Sequence, residues 1–157
     1  ALGIAYLNFD VPRGSAKGIA RFYREIVGAP AKVKSRDGTS AHVQIGHEQT
    51  LIFTETRRKI VPFDGHHIQI YVVDFSGPYD KLLARGLVSE ESSQHQYHFE
   101  DITDLDTGEV LFTLDHEMRS LTHPLYARPL VNRNPDQTNG RFGAGHEHRS
   151  WALPYSG

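Results

Sequence analysis

Cysteine is absent from the 157 residues, so disulfide staples and thiolate metal sites are excluded. No apolar run approaches the roughly 18 residues that a membrane-crossing helix needs. Charge of one sign is also missing. The 17 Lys and Arg against 19 Asp and Glu leave a net charge of −2, which gives no basic face for nucleic acid. Neither a glycine-rich phosphate loop nor a Gly-x-Ser-x-Gly elbow occurs, so nucleotide binding and a serine nucleophile have no support. The first residues, Ala1-Leu2-Gly3-Ile4-Ala5, lack the basic and long apolar regions of an intact secretory leader. A cytoplasmic protein is the expectation.

What is present is a duplication. Ala5–Val11 leads into a helical stretch, Ser15–Val27, and His66–Val72 leads into another, Ser76–Arg85. Leu51-Ile52-Phe53-Thr54 closes the first copy and Val110-Leu111-Phe112-Thr113 the second, at an offset of about sixty residues. Ile19, Phe22, Tyr23 and Ile26 fall at i, i+3, i+4 and i+7, the period of one helix face, with Ser15 as N-cap and Gly28 as the C-terminal glycine. In the second copy Tyr79, Leu82 and Leu83 make the stripe and Gly86 ends the helix. Short strands follow each helix, the last of them Val110–His116, with turns at Arg36-Asp37-Gly38, Gly46-His47-Glu48 and the Asp-rich Thr103–Gly108. Each half reads β-α-β-β-β.

The fold class expected is α+β: two pseudo-symmetric βαβββ modules, residues 1–59 and 60–118, forming a cup-shaped mixed sheet in one domain, 1–118. Residues 119–157, rich in Pro, Asn, Arg and Gly, read as an extended tail that wraps the domain or a partner subunit. The seam between copies is where a small-molecule cleft is expected.

Paired modules, the segment Phe22-Tyr23-Arg24-Glu25-Ile26-Val27-Gly28 and the turn Asp104-x-Asp106-x-Gly108 resemble the vicinal oxygen chelate superfamily. This is the group of glyoxalases, bleomycin-resistance proteins and extradiol dioxygenases, and the resemblance spans roughly residues 4–117. It implies a cup holding a divalent metal, with ligands on the first and last strands of each module. Such a metal would chelate neighbouring substrate oxygens and stabilise a developing enolate. Here the ligand positions fall on Tyr6, Phe53, His67 and Phe112, and phenylalanine cannot ligate. A standard four-ligand site is not intact. His67 alone remains as a ligand, so a divalent metal here would have no intact ligand set behind it. Glu55 is a weak substitute, one rung beyond Phe53. Strand alternation counted from Phe112 sets Asp115 and Glu117 on the opposite face.

With that set incomplete, His67 is the leading candidate for a general base, facing Tyr6 as a hydrogen-bond donor across the pseudo-twofold axis. Asn8 and Gln69 are amides that could orient a carbonyl or carboxylate. Phe53 and Phe112 are expected to line an apolar pocket floor. His98 and His116 could reach the cup mouth, as could His42, while His66 points away from His67. In the tail, Tyr126, Arg128, Asn132 and Arg133 could close over the cup, Arg128 clamping a substrate carboxylate. His146-Glu147-His148 reads as a solvated tract.

The function expected is a small-molecule enzyme of lyase or isomerase type, working by proton abstraction or oxyanion stabilisation. The alternative is a metal-free binding or sequestering protein of bleomycin-resistance type, and an extradiol-type dioxygenase is a more distant third. A small-molecule ligand and a second copy of the chain are the partners expected; nucleic acid and membrane are not.

Overall fold

The structure, a computed structural model, describes residues 4–36 and 38–126. Two four-stranded mixed sheets carry the duplication. In the first module β1 (Tyr6–Pro12) leads to α1 (Ala16–Phe22), then β2 (Ala31–Lys34), β3 (Ser40–Gly46) and β4 (Gln49–Thr56). The second repeats the order with β5 (His67–Val72), α2 (Ser76–Leu83), β6 (Val88–Ser93), β7 (Gln96–Thr103) and β8 (Val110–Ser120). The strand orders are β1-β4-β3-β2 and β5-β8-β7-β6. In each, the first and last strands of the module lie parallel and the others antiparallel. The expected βαβββ pairing is therefore the observed one. No helix among the described residues is long and apolar enough to cross a membrane.

The helix stripe read from the sequence is the core. Ile19, Phe22, Tyr23 and Ile26 are all buried. After Phe22 the helix widens into a π-helical turn, Tyr23–Val27, in which Tyr23 O accepts from the N–H groups of Gly28 and Ala29. Gly28 then takes the left-handed conformation, φ 79°, that ends the helix without a Cβ penalty. Ser15 occupies the N-cap, yet its hydroxyl donates to Pro12 O rather than accepting from the helix. The first free helical N–H, that of Ala16, is taken by Glu55 Oε1 on β4 at 3.0 Å. Glu55, the substitute ligand of the sequence reading, is occupied as this capping carboxylate.

Helix α1 bridges the modules. It packs on β2, β3 and β4 of its own sheet and on β7 and β8 of the other. Phe22 meets Phe99 at 5.8 Å, and Arg21 pairs with Asp106 at 2.6 Å. Gly18 permits this approach, because a Cβ there would stand 2.5 Å from Leu111 Cδ1. The Asp-rich turn is locally self-supporting. Asp104 Oδ1 accepts from the backbone N–H groups of Asp106 and Thr107, which fixes Asp106 in front of Arg21.

Strand alternation sets two faces. Ala41, Val43, Leu51 and Phe53 in the first sheet, and Ile68, Ile70, Tyr97, Phe99, Leu114 and Met118 in the second, are buried in one apolar core with the helix stripe. Each of the larger aliphatic and aromatic side chains among them contributes about 1.5–3 kcal/mol by leaving water. The opposite face of the second sheet is polar. Strand β8 runs to Ser120, past the end expected near His116 and past the domain limit drawn at residue 118. The missed extension is Glu117-Met118-Arg119-Ser120, where charged residues alternate with a buried methionine. Residues 127–157, with Arg128, Asn132, Arg133 and the His146-Glu147-His148 tract, lie outside the described residues.

Candidate functional site

The polar face of the second sheet is built rung by rung. Parallel pairing of β5 with β8 sets His67 beside Asp115, Gln69 beside Glu117 and Tyr71 beside Arg119. Antiparallel pairing of β7 adds His98 beside Glu117 and Gln96 beside Arg119. Because side chains alternate along a strand, these groups share one face while Ile68, Ile70, His116 and Met118 point into the core.

Arg119 organises the cluster. Its guanidinium forms an ion pair with Glu117, and both side chains are nearly buried, at 12% and 10% exposure. Arg119 Nε also donates to Gln96 Oε1 at 2.8 Å, and its terminal nitrogen donates to the Tyr71 hydroxyl at 3.3 Å. A buried carboxylate is tolerable where a planar, permanently charged guanidinium satisfies it. Glu117 is thereby held with Oε2 4.0 Å from His67 Nε2. The His67 ring is open to solvent, with 58% of its side chain exposed.

A second histidine lies beside this group. His98 Nδ1 donates to Asp115 at 3.0 Å, and the amide nitrogen of Gln96 donates to His98 Nε2 at 3.1 Å. One ring nitrogen donates and the other accepts, which sets the orientation of the ring. Tyr71 is flanked by Tyr126 at 5.2 Å and His123 at 6.2 Å. Burial, with Arg119 and His95 near it, lowers the pKa of His123 to about 4 and keeps it neutral.

Two expected pocket residues are elsewhere. Phe53 is fully buried beneath α1, 5.6 Å from Tyr23 and 5.9 Å from Phe112. It cannot be a ligand-facing wall. Phe112 is half-buried in the same aromatic seam, 5.9 Å from Phe9, on the opposite side of its sheet from His67. His116, expected at the cup mouth or in solvent, is completely buried. Its Nδ1 donates to Leu114 O, its Nε2 accepts from the Tyr23 hydroxyl at 2.6 Å, and its ring stacks on Phe99 at 4.1 Å. Burial drives its pKa down to about 3. The physical reason for all three corrections is strand phase. Asp115 and Glu117 lie on the face of His67, and the Phe112 face is the one the helices cover.

The remaining candidates are placed as follows. Tyr6 is exposed on β1, and no hydrogen bond joins it to His67. Asn8 is exposed and its Oδ1 accepts from the Thr54 hydroxyl at 2.8 Å. Gln69 is exposed on the His67 face. His42 contacts the Ser40 hydroxyl at 3.0 Å, and partial burial lowers its pKa. His66 is held by Asp64 at 2.6 Å and stacks on Phe9, off the His67 face. The structure therefore gathers His67, Gln69 and His98 and leaves Tyr6 and Asn8 on the first sheet. It adds Tyr71, Gln96, Asp115, Glu117 and Arg119. Their signal was the alternation Leu114-Asp115-His116-Glu117-Met118-Arg119, which has the same period as His67-Ile68-Gln69-Ile70-Tyr71.

The donors do not fit a divalent ion as placed. Among the described residues no three His, Asp or Glu side chains converge as a metal site. Glu117 already carries a guanidinium as its counter-charge and Asp115 is engaged by His98, which leaves His67 without a free carboxylate partner.

No family model matches the chain, and no curated protein matches it. Solved structures do. A glyoxalase family protein from Bacillus anthracis matches over 76% of this chain and 95% of its own, with 17% identity and a TM-score of 0.56. A structure described as a possible glyoxalase from Bacillus cereus matches over 76% and 99%, with 14% identity and a TM-score of 0.54. A mutant of the fosfomycin resistance protein FosX from Listeria monocytogenes, complexed with Mn(II) and a dihydroxypropylphosphonic acid, matches over 76% and 92%, with 12% identity and a TM-score of 0.53. These likenesses establish that the chain has the glyoxalase-like fold, the architecture of the vicinal oxygen chelate proteins.

Proposed function

We propose that this chain acts on a small oxygenated molecule at the polar face of its second sheet, by proton transfer through His67. One observation carries the reading. His67 presents an accessible imidazole whose Nε2 lies 4.0 Å from a carboxylate, and that carboxylate is itself fixed by Arg119. An imidazole that takes a proton from a carbon next to a carbonyl becomes a cation, and Glu117 is placed to stabilise it. Gln69, one rung along and exposed, can orient the substrate oxygen. Tyr6 stands on the first sheet and is given no part in this step. The chemistry is of lyase or isomerase type, and no step is drawn through a metal. The FosX neighbour is complexed with Mn(II); among the described residues of this chain no three His, Asp or Glu side chains come together.

The second reading is a binding protein without turnover. It is favoured by the mutual satisfaction of Arg119, Glu117, Gln96, His98 and Asp115, which leaves few polar groups free to act. A cytoplasmic homodimer is the setting proposed for either. The exposed apolar residues Ile4, Tyr6 and Leu7 around β1 favour a partner surface there. Light scattering would then give twice 17.7 kDa, about 35 kDa.

Hydroxyacetone in D2O separates the two readings. Proton transfer predicts protein-catalysed exchange of its carbon-bound hydrogens, followed by NMR, and loss of that exchange in His67→Ala. Binding without exchange favours the second reading. Exchange undiminished in His67→Ala removes His67 from the mechanism.

A further inference from the structure

A cavity of about 240 Å³ opens between α2 and the β6–β7 hairpin, and His67 is not among its walls. At about 30 Å³ per water it has room for about eight waters, the bulk of a small organic group. Three of its walls are aromatic: Phe75, Tyr79 and Tyr97. They do not lie flat on one another. Phe75 meets Tyr97 at 5.0 Å and 47°, and Tyr79 meets Tyr97 at 5.2 Å and 61°. Rings set at such angles make a corner in which Tyr97 is buried at the base and Phe75 and Tyr79 are half-buried at the sides.

The polar walls complete a one-sided electrostatic environment. Glu91 is the charged wall and Gln94 and Gln96 supply amides; among the described residues no Lys, Arg or His lines the space, Arg119 and His95 standing behind Gln96 and Gln94. Glu91 Oε1 accepts from the Tyr79 hydroxyl at 2.6 Å. Its second oxygen accepts no hydrogen bond from any described residue. Further carboxylates stand nearby. The hydrogen bond to Glu91, then burial and, least, Asp80 raise the pKa of Tyr79; burial, with Asp74 added, raises that of Tyr97. Asp74 also accepts from the Gly77 N–H, so the positive end of α2 is already answered.

We infer that this cavity is a binding site for an organic cation, an amine or quaternary ammonium group with a small apolar arm. The cationic head would lie against the ring of Tyr79 with Glu91 as counter-charge, Tyr97 closing the floor. The apolar arm would cover Phe75. An anion would meet Glu91 with no compensating cation, and a neutral molecule would gain only the apolar contact.

Benzyltrimethylammonium and its neutral counterpart benzyl alcohol test this, titrated into the whole protein and followed by backbone amide shifts. The cation is expected to give saturable shifts at residues 75–79 and 91–97, with the neutral probe weaker by ~10-fold. Glu91→Gln, an exposed change that keeps shape, is expected to weaken the cation by ~5-fold or more and leave the neutral probe unchanged. Tyr79→Phe keeps the ring and frees Glu91 Oε1, so the cation should bind as well or better. Equal binding of the two probes, shifts confined to other segments, or cation binding indifferent to Glu91→Gln would each overturn the assignment.

Discussion

The Tyr23 hydroxyl donates to His116 Nε2 at 2.6 Å, and both side chains are fully buried. The bond ties the π-helical turn of the first module to the last strand of the second. It satisfies two polar groups that would otherwise be costly inside an apolar core. Tyr23→Phe should therefore destabilise the fold by about 1–3 kcal/mol, because His116 keeps a buried acceptor with no donor. Urea unfolding measures this. A loss below ~0.5 kcal/mol would mean that the bond does not join the modules energetically.

The same histidine makes stability depend on pH. His116 titrates near 6.5 when unfolded and near 3 in the fold, because burial penalises its charged form. Below pH 6.5 the unfolded chain binds a proton that the native chain refuses. Stability from this group is thus complete above about pH 6.5 and falls as the pH drops toward 3, by about 1.4 kcal/mol per unit. His123, also lowered by burial, acts in the same direction. Unfolding free energies across this range should slope less in His116→Gln than in the wild type. Equal slopes would show that His116 is not the group responsible.

Glu55 caps α1 through the Ala16 N–H at 3.0 Å. Glu55→Ala should cost about 0.5–2 kcal/mol, the range of a lost helix cap. In a chain of this length each kcal/mol lowers the melting temperature by roughly 2–4 °C, which calorimetry resolves. An unchanged melting temperature would return Glu55 to the pool of free carboxylates.

Arg119→Ala leaves Glu117 nearly buried without its cation. Removing one partner of such a pair is expected to cost about 3–5 kcal/mol. Arg119→Ala with Glu117→Ala should recover part of that loss, since the unpaired charge leaves with its partner. Chemical denaturation of the single and double variants gives the coupling. No recovery would mean that the two residues act independently.

The fold was legible because its signals are redundant. The Ile19, Phe22, Tyr23 and Ile26 stripe, the glycines at 28 and 86, and the sixty-residue offset all point to two βαβββ modules, and the structure has them. The site was less legible because it hangs on the phase of one strand. Counting from Phe112 set Asp115 and Glu117 on the opposite strand face, where the structure has them; the error was to take the Phe112 face, rather than theirs, as the one that His67 shares. The same reading set His116 and Phe53 in the cleft, where the structure puts them under the helices. A one-residue change of phase turns every side chain over. His67 could be singled out from its place on β5, but the arginine that positions its carboxylate lies 52 residues away on a strand that the sequence reading ended too soon. Helix capping by Glu55 was hidden for a related reason, since a cap from a distant strand leaves no local pattern.

The most direct test of the central claim follows the histidine ring signals while hydroxyacetone is added. The account predicts saturable movement of the His67 resonance, a smaller change at His98, and none at the buried His116. Movement at His116, or a silent His67 while other residues report binding, would contradict the assignment of the polar face as the site.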